Sequence, residues 1–129
     1  MAFGTLAFDT LQTSDSKKTG TNQTLDTSYL YNGSAKAWLA ATDAAVLHDS
    51  FNISSNTDEG TGDYKYGVTN VFVRSTAETA GFGIALGSQI IIRVKTAEAS
   101  TSVIDIESID TGATATNASH AVGVLGDLA

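Results

Sequence analysis

The residues best suited to chemistry lie in one acidic, glycine-rich stretch, DSFNISSNTDEGTGDYKYGV, residues 49–68. Four of its side chains offer the hard oxygen donors that calcium prefers: Asn56, Asp58, Glu59 and Asp63. The glycines between them would let a loop close tightly around an ion. The composition of this stretch therefore allows a calcium site in outline.

The spacing of these residues does not follow the EF-hand. Counted from Asn56, the fifth, sixth and twelfth positions are Gly60, Thr61 and Gly67. An EF-hand needs an oxygen ligand, a glycine and a glutamate at those positions. Asn, Asp and Gly are also the residues that build turns between strands. We therefore expect residues 56–63 to form the loop of a β-hairpin, with a calcium site as the alternative.

The two histidines do not combine with other residues into a recognisable catalytic arrangement. His48, Asp49 and Ser50 are the residue types of a catalytic triad, but neighbours on a strand point to opposite faces. His120 lies in a Ser-His-Ala segment without a nearby acid. Two histidines and no cysteine also make a poor zinc site. We predict no catalytic residue, no zinc site and no cofactor.

The best-placed carboxylate pair is Asp105 and Glu107, because residues two apart on a strand share a face. A glycan hydrolase needs its two carboxylates across a cleft. Side by side on one strand, this pair is expected to lie on a solvated face. We therefore predict that the protein is not an enzyme, and a glycan-cleaving enzyme is the least favoured interpretation.

The aromatic residues allow two interpretations. Tyr29, Tyr31, Trp38, Tyr64 and Tyr66 could form a platform for carbohydrate, since their rings combine flat apolar area with a polar group. They could equally form part of the core, because a small sandwich needs its bulky residues inside. We favour the core.

The chain's composition excludes several classes of partner. Its net charge is −7, and the only basic pair is Lys17-Lys18, whereas nucleic-acid binding needs clustered Lys and Arg. No apolar run approaches the roughly 20 residues of a membrane span. The N-terminus, MAFGTLAFDTLQTSD, lacks the basic and unbroken apolar regions of a secretory signal. We expect neither nucleic-acid binding nor membrane insertion.

The elements that must position these residues are strands. Thr, Ser, Gly, Val and Ile are abundant, and no long helical period is present. The clearest strands are FGIAL, QIIIRVK and VIDIESI. The glycines of GFGIALG are expected inside a strand, because the Lys-Ser/Thr of a phosphate loop is missing.

These strands predict an all-β fold, an antiparallel β-sandwich or jelly roll of about eight short strands with an N-terminal arm. Residues 1–24 are expected to form an N-terminal strand and polar arm. Residues 25–129 are expected to form a single β-sandwich domain.

Four sequence blocks carry a resemblance to a known group of proteins: MAFGTLAFDTLQTSD, LDTSYLYNGSAKAW, DSFNISSNTDEGTGDY and the ending VLGDLA. They resemble short β-rich structural proteins of marine tailed phages, some of them tail-fibre-like. The resemblance covers most of the first 64 residues and the last six. The chain departs from the group's pattern after Trp38 and again at residues 65–67.

The resemblance implies a non-enzymatic virion protein, made in the cytoplasm of a bacterial host and built into a tail fibre or another tail-associated attachment structure. A capsid decoration protein on the head surface is the alternative. Expected partners are other virion proteins, further copies of the chain (a homotrimer is favoured) and a host surface receptor. The first interface residues to consider are Phe3, Leu6, Phe8, Tyr29 and Tyr31.

Overall fold

The computed structural model describes residues 10–12, 24–26, 33–86 and 89–129, with backbone alone for the first two ranges. The chain divides into two compact units, Met1–Ser34 and Ala35–Ala129. In the first unit, β1 (Thr10–Gln12) and β2 (Thr24–Asp26) form an antiparallel pair.

The boundary between the units differs from the expected one at residues 24 and 25. Thr24–Asp26 is hydrogen-bonded back onto Thr10–Gln12, so the chain has not yet left the first unit at that point. The second unit begins ten residues later than expected, at Ala35.

The second unit is an all-β fold of eight strands in two four-stranded antiparallel sheets, which confirms the predicted fold class. Sheet I has the strand order β4-β3-β10-β7, and sheet II has the order β5-β6-β9-β8. The strands are β3 (Ala37–Ala41), β4 (Leu47–Phe51), β5 (Ile53–Gly60), β6 (Asp63–Val68), β7 (Gly81–Leu86), β8 (Ile90–Val94), β9 (Val103–Asp110) and β10 (Ser119–Val124).

The core lies between the two sheets and follows from strand alternation. On β6, for example, Tyr64, Tyr66 and Val68 are buried, while the residues between them are less so. The other core residues from strands are Ala37, Leu39, Ala41, Ile104, Ile106, Val122 and Val124. Because the central strands β3 and β10 of sheet I and β6 and β9 of sheet II contribute alternate residues to one interior, the two sheets pack face to face.

The hairpin expected at residues 56–63 is present, but its loop is much shorter than predicted. Strand β5 continues to Gly60 and β6 starts at Asp63, so that only Thr61 and Gly62 turn the chain. Gly62 has φ +68° and lies against the backbone of Ser108. Asn56, Asp58 and Glu59 are therefore residues of the edge strand β5, where water can solvate them, and Asp63 begins the neighbouring strand β6.

Candidate functional site

The outer face of sheet I is unusually apolar for a surface exposed to water. Strand registers place ten residues on it: Trp38, Ala40, Asp49, Phe51, Phe82, Ile84, Leu86, Ser119, Ala121 and Gly123. We call these ten residues the apolar face. Asp49 is the one charged residue among them. Five are large hydrophobic side chains that stand exposed.

Three aromatic side chains of the apolar face form a row across the sheet. The registers set Phe51 beside Trp38, Trp38 beside Gly123, and Gly123 beside Phe82. The Phe82 ring covers Gly123 and occupies the space that a Cβ there would need. Glycine on the central strand thus lets an aromatic ring lie flat on the sheet.

Strand β7 directs its small residues toward the core and its large residues outward, which is the reverse of an ordinary sandwich strand. Its inward positions are Gly81, Gly83 and Ala85, while Phe82, Ile84 and Leu86 point outward. Ile92 of sheet II packs closely over Gly83, at 2.9 Å from the position a Cβ would take. The largest side chains of β7 therefore add nothing to the core of a single copy.

A central trough runs along the apolar face. The strands β3 and β10 present small side chains there, namely Ala40, Ser119 and Ala121. The ridge of β7 side chains borders this trough on one side, strand β4 borders it on the other, and Trp38 closes one end. The face therefore has relief into which a complementary apolar surface can fit.

The outer face of sheet II has the opposite character. Arg93 Nε donates to Glu107 over 2.7 Å, and Lys95 Nζ donates to Asp63 over 2.6 Å. These hydrogen bonds raise the pKa of both basic groups. Lys65 forms further ion pairs with Glu59 and Glu98. This is a charged face of the kind that water solvates.

Asp105 was expected on a solvated face, and this expectation is wrong. It does share the outer face with Glu107, but its side chain is fully buried. Burial raises the pKa of its carboxyl group, and the nearby ammonium groups of Lys95 and Lys65 work in the opposite direction. Neither oxygen has a partner of full hydrogen-bond geometry among the described residues, although the Glu98 backbone lies near enough to lower the pKa slightly.

His120 belongs to a buried polar network in the core. Its Nδ1–H donates to the Ala118 carbonyl over 2.8 Å, because a carbonyl can only accept. Nε2 therefore accepts the hydrogen bond from the Tyr66 hydroxyl, at 2.7 Å. Burial lowers the pKa of this imidazole. The Tyr64 ring lies against it with centroids 4.5 Å apart, so the network is a packed and neutral one.

The residue types of a triad at positions 48–50 do not assemble. Asp49 lies on the outer face of sheet I opposite Ala40, whereas Ser50 is the next residue along and points to the other side. The Asp49 carboxylate accepts from the Ser50 backbone N–H over 2.8 Å, and the strand register shifts at His48. These neighbours form an irregular edge strand.

The four calcium candidates are each engaged by another group of the protein. Asn56 donates to the Ala45 carbonyl over 2.9 Å, and Asp58 accepts from the Gly60 N–H over 3.0 Å. Glu59 and Asp63 face the ammonium groups of lysines, as described above. Within the described residues, no group of three or more His, Cys, Asp or Glu side chains could hold a metal ion.

The remaining candidates divide between the core and the part of the chain that is not described. Tyr64 and Tyr66 are buried, as predicted, but Trp38 lies on the apolar face and is 37% exposed. The proposed interface residues Phe3, Leu6, Phe8, Tyr29 and Tyr31 lie outside the described residues.

A cavity of about 220 Å³ lies between the two sheets, where the edge strands β7 and β8 leave the sandwich open. Its walls include the core residues Ile104, Ile106 and Val122, and Phe82 also lines it. The walls are predominantly apolar, so the cavity offers little to orient a polar ligand.

Comparison of the chain with family models, with curated proteins and with solved structures finds no match. None of the helices in the described part of the chain has the length and apolar character needed to cross a membrane.

Sequence reasoning missed the apolar face, although one signal for it was available. In GFGIAL, small and large residues alternate strictly, so one face of the strand is built of glycine and alanine. Such a strand could point its large residues either inward or outward, and only the packing of Ile92 against Gly83 decides this.

Proposed function

We propose that this chain is a non-enzymatic structural subunit of a tailed-phage particle, in a tail fibre or another tail-associated attachment structure. The observation that carries the proposal is the apolar face. Five large exposed hydrophobic side chains on one side of one sheet are unfavourable in water, and such patches mark surfaces that are covered in an assembly. The resemblance to phage structural proteins supplies the kind of assembly.

The two outer faces support a division of roles within such a particle. The apolar face would meet neighbouring subunits, and the charged outer face of sheet II would remain in water, where its ion pairs are solvated. Loops at the ends of the sandwich would be free to contact a host surface receptor. A rigid sandwich holds such loops in fixed positions.

The test is to locate the chain in purified phage particles. Mass spectrometry should detect it at stoichiometric level, and cryo-electron microscopy should find its sandwich in tail-associated density. A phage lacking the gene should then lose adsorption to its host while its heads still fill with DNA. If the purified particles lack this protein, the proposal is wrong.

A second candidate is a capsid decoration protein, favoured by one specific observation. The chain carries a separate unit of 34 residues, Met1–Ser34, ahead of the sandwich. An additional N-terminal unit of this kind suits a protein that docks on neighbouring subunits of a lattice. Density on the capsid surface, with adsorption intact in the deletion phage, would replace the tail assignment with this one.

A further inference from the structure

We infer that the apolar face pairs with the same face of a second copy, in a two-fold symmetric contact that inserts the β7 ridge of each copy into the trough of the other. The inference deepens the proposed function by naming the partner of the apolar face. It concerns the purified chain in solution, so it can be tested without any phage.

The exposed area on the face is enough for such a contact. The exposed fractions are 37% for Trp38, 53% for Phe51, 57% for Phe82, 61% for Ile84 and 73% for Leu86. With roughly 150–250 Å² available per large side chain, each leaves on the order of 100 Å² in water. The four side chains on β3 and β7 therefore offer about 800 Å² from two copies, and the trough residues Ala40, Ser119 and Ala121 add to this, which brings the contact to the lower size of specific interfaces.

The relief of the face makes it complementary to itself. The ridge of Phe82, Ile84 and Leu86 lies at one edge, and the trough along Ala40 and Ala121 lies beside it. A two-fold axis between β10 and β7 would set each ridge on the partner's trough at the same time. Such an isologous contact closes on itself, because both copies use the same surface.

The charge distribution favours this face over any other for self-association. Each copy carries a net charge of −7, so two copies repel each other over most approaches. All four ion pairs described above involve side chains of sheet II, its ends or its adjoining loop, on the side away from the apolar face. The apolar face itself carries a single charged residue, Asp49, and that residue lies on β4, the strand farthest from the inferred two-fold axis.

The chemistry of the ridge favours protein over carbohydrate as the occupant. Sugars stack on aromatic rings, and the row of Phe51, Trp38 and Phe82 would serve them. Ile84 and Leu86 are the most exposed hydrophobic residues of the face, however, and they have neither a ring to stack on nor a polar group. Branched aliphatic side chains are instead buried by other apolar side chains.

The experiment compares the full chain with two isoleucine variants by sedimentation and light scattering, from about 1 to 500 μM. The wild-type chain should reach twice its mass of 13.3 kDa. Ile84→Lys should raise the dissociation constant at least about 100-fold, because it buries a charge in the contact. Ile91→Lys is the matched control, since Ile91 is also an exposed isoleucine on an edge strand, but on sheet II, and it should leave the mass unchanged.

Tryptophan fluorescence supplies an independent readout, because Trp38 is the single tryptophan of the chain and lies on the apolar face. Its emission should move to longer wavelength when the wild-type chain is diluted and should stay there at every concentration in Ile84→Lys. Should Ile84→Lys fail to fold by circular dichroism, Leu86→Ser takes its place, since Leu86 is the most exposed hydrophobic residue of the face.

Four results would overturn the inference. A wild-type chain that stays monomeric throughout, a mass of three copies, or equal loss of association in the sheet I and sheet II variants would each contradict face-to-face pairing. A monomer whose Trp38 emission shifts when host polysaccharide is added would identify a carbohydrate platform instead. All four can arise whether or not the protein is found in phage particles, so failure of this inference is distinguishable from failure of the proposed function.

Discussion

Asn52 is the residue at which the chain leaves sheet I for sheet II. It sits between β4 and β5 with φ +60°, a conformation that asparagine tolerates better than most residues. Its Nδ2 donates to the carbonyls of Lys36 and Asn70, each over 3.0 Å, and its Oδ1 accepts from the Asn70 N–H over 2.6 Å. One side chain therefore fixes the corner and ties three segments together.

We expect Asn52→Ala to lower the free energy of unfolding by about 3 kcal/mol, because it removes these hydrogen bonds and strains the backbone. Asn52→Gly should cost about 2 kcal/mol, since glycine adopts the positive φ without strain. Asn56→Ala, which removes one hydrogen bond, should cost about 1 kcal/mol. Urea denaturation measures all three, and equal losses in the two Asn52 variants would refute the backbone contribution.

His120 makes the stability of the sandwich depend on pH. In the folded state, the pKa of its imidazole is lowered from its ordinary value of 6.5. Just below pH 6.5 the unfolded chain therefore binds a proton that the folded chain does not bind. The free energy of unfolding should therefore fall as pH drops from about 7 to 5, by up to about 1.4 kcal/mol per pH unit. Protonation would also remove the acceptor that the Tyr66 hydroxyl uses.

His120→Gln isolates this contribution, because glutamine can keep a donor and an acceptor but does not titrate. Chemical denaturation of the wild-type chain and of this variant at several pH values should give a shallower slope for the variant. An unchanged slope would mean that groups other than His120 govern stability in this range.

At the scale of elements, close packing around its turn holds the β5–β6 hairpin in place. A Cβ on Gly62 would lie 2.5 Å from the Ser108 carbonyl oxygen and 2.8 Å from the Thr116 backbone nitrogen. Gly62 N–H also donates to the Asn117 side chain over 2.6 Å. The turn is therefore docked on the segment that links β9 to β10.

Two alanine substitutions in this hairpin distinguish the cost of a steric clash from the cost of backbone strain. Gly60 and Gly62 both have positive φ, but a Cβ on Gly60 would meet nothing within 4 Å. Gly60→Ala should cost about 1–2 kcal/mol from strain, and Gly62→Ala at least about 3 kcal/mol because it also clashes with backbone. Thermal and urea unfolding provide the comparison, and similar losses would show that the docking contributes little.

The elements show how far sequence patterns reach in this chain. The spacing in VIDIESI correctly placed Asp105 and Glu107 on the same face of β9, and Asn, Asp and Gly correctly predicted a hairpin near residue 60. The length of β5 was missed, because its polar side chains suit an exposed edge strand as well as a loop. The burial of Asp105 was missed because Asp63 and Lys65 of β6 and Lys95, just after β8, lie around it, and a single strand's pattern contains no information about them.

At the scale of the whole molecule, the sandwich has one apolar and one charged side. Association through the apolar face has to overcome repulsion between two chains of net charge −7. Added salt screens that repulsion, so the dissociation constant of the inferred pair should fall as NaCl rises from about 0.05 to 0.5 M. Sedimentation at several salt concentrations tests this, and weaker association at high salt would indicate an ion-paired interface elsewhere.

The overall architecture was the most predictable property, and the use of its surfaces was the least. Strand content and turn residues are local, so an eight-stranded antiparallel fold could be predicted. Which face is covered depends on where Gly81 and Gly83 meet the opposite sheet, and this is a property of the complete packing. Trp38 was assigned to the core, although it lies on the apolar face, because the sequence of its own strand does not show which face is covered.

The neighbouring ends of β3 and β10 have a mechanical consequence. Ala37, where β3 begins, is paired with Val124, where β10 ends, at the same end of an antiparallel pair in the middle of sheet I. Tension applied through the chain at these two points would load the outermost hydrogen bond of the ladder first. The strands would therefore separate one hydrogen bond at a time. A copy of the chain pulled in this way would yield at low force. In the assembly that we propose, load would therefore have to pass between subunits through their broad faces, where many contacts share it in parallel.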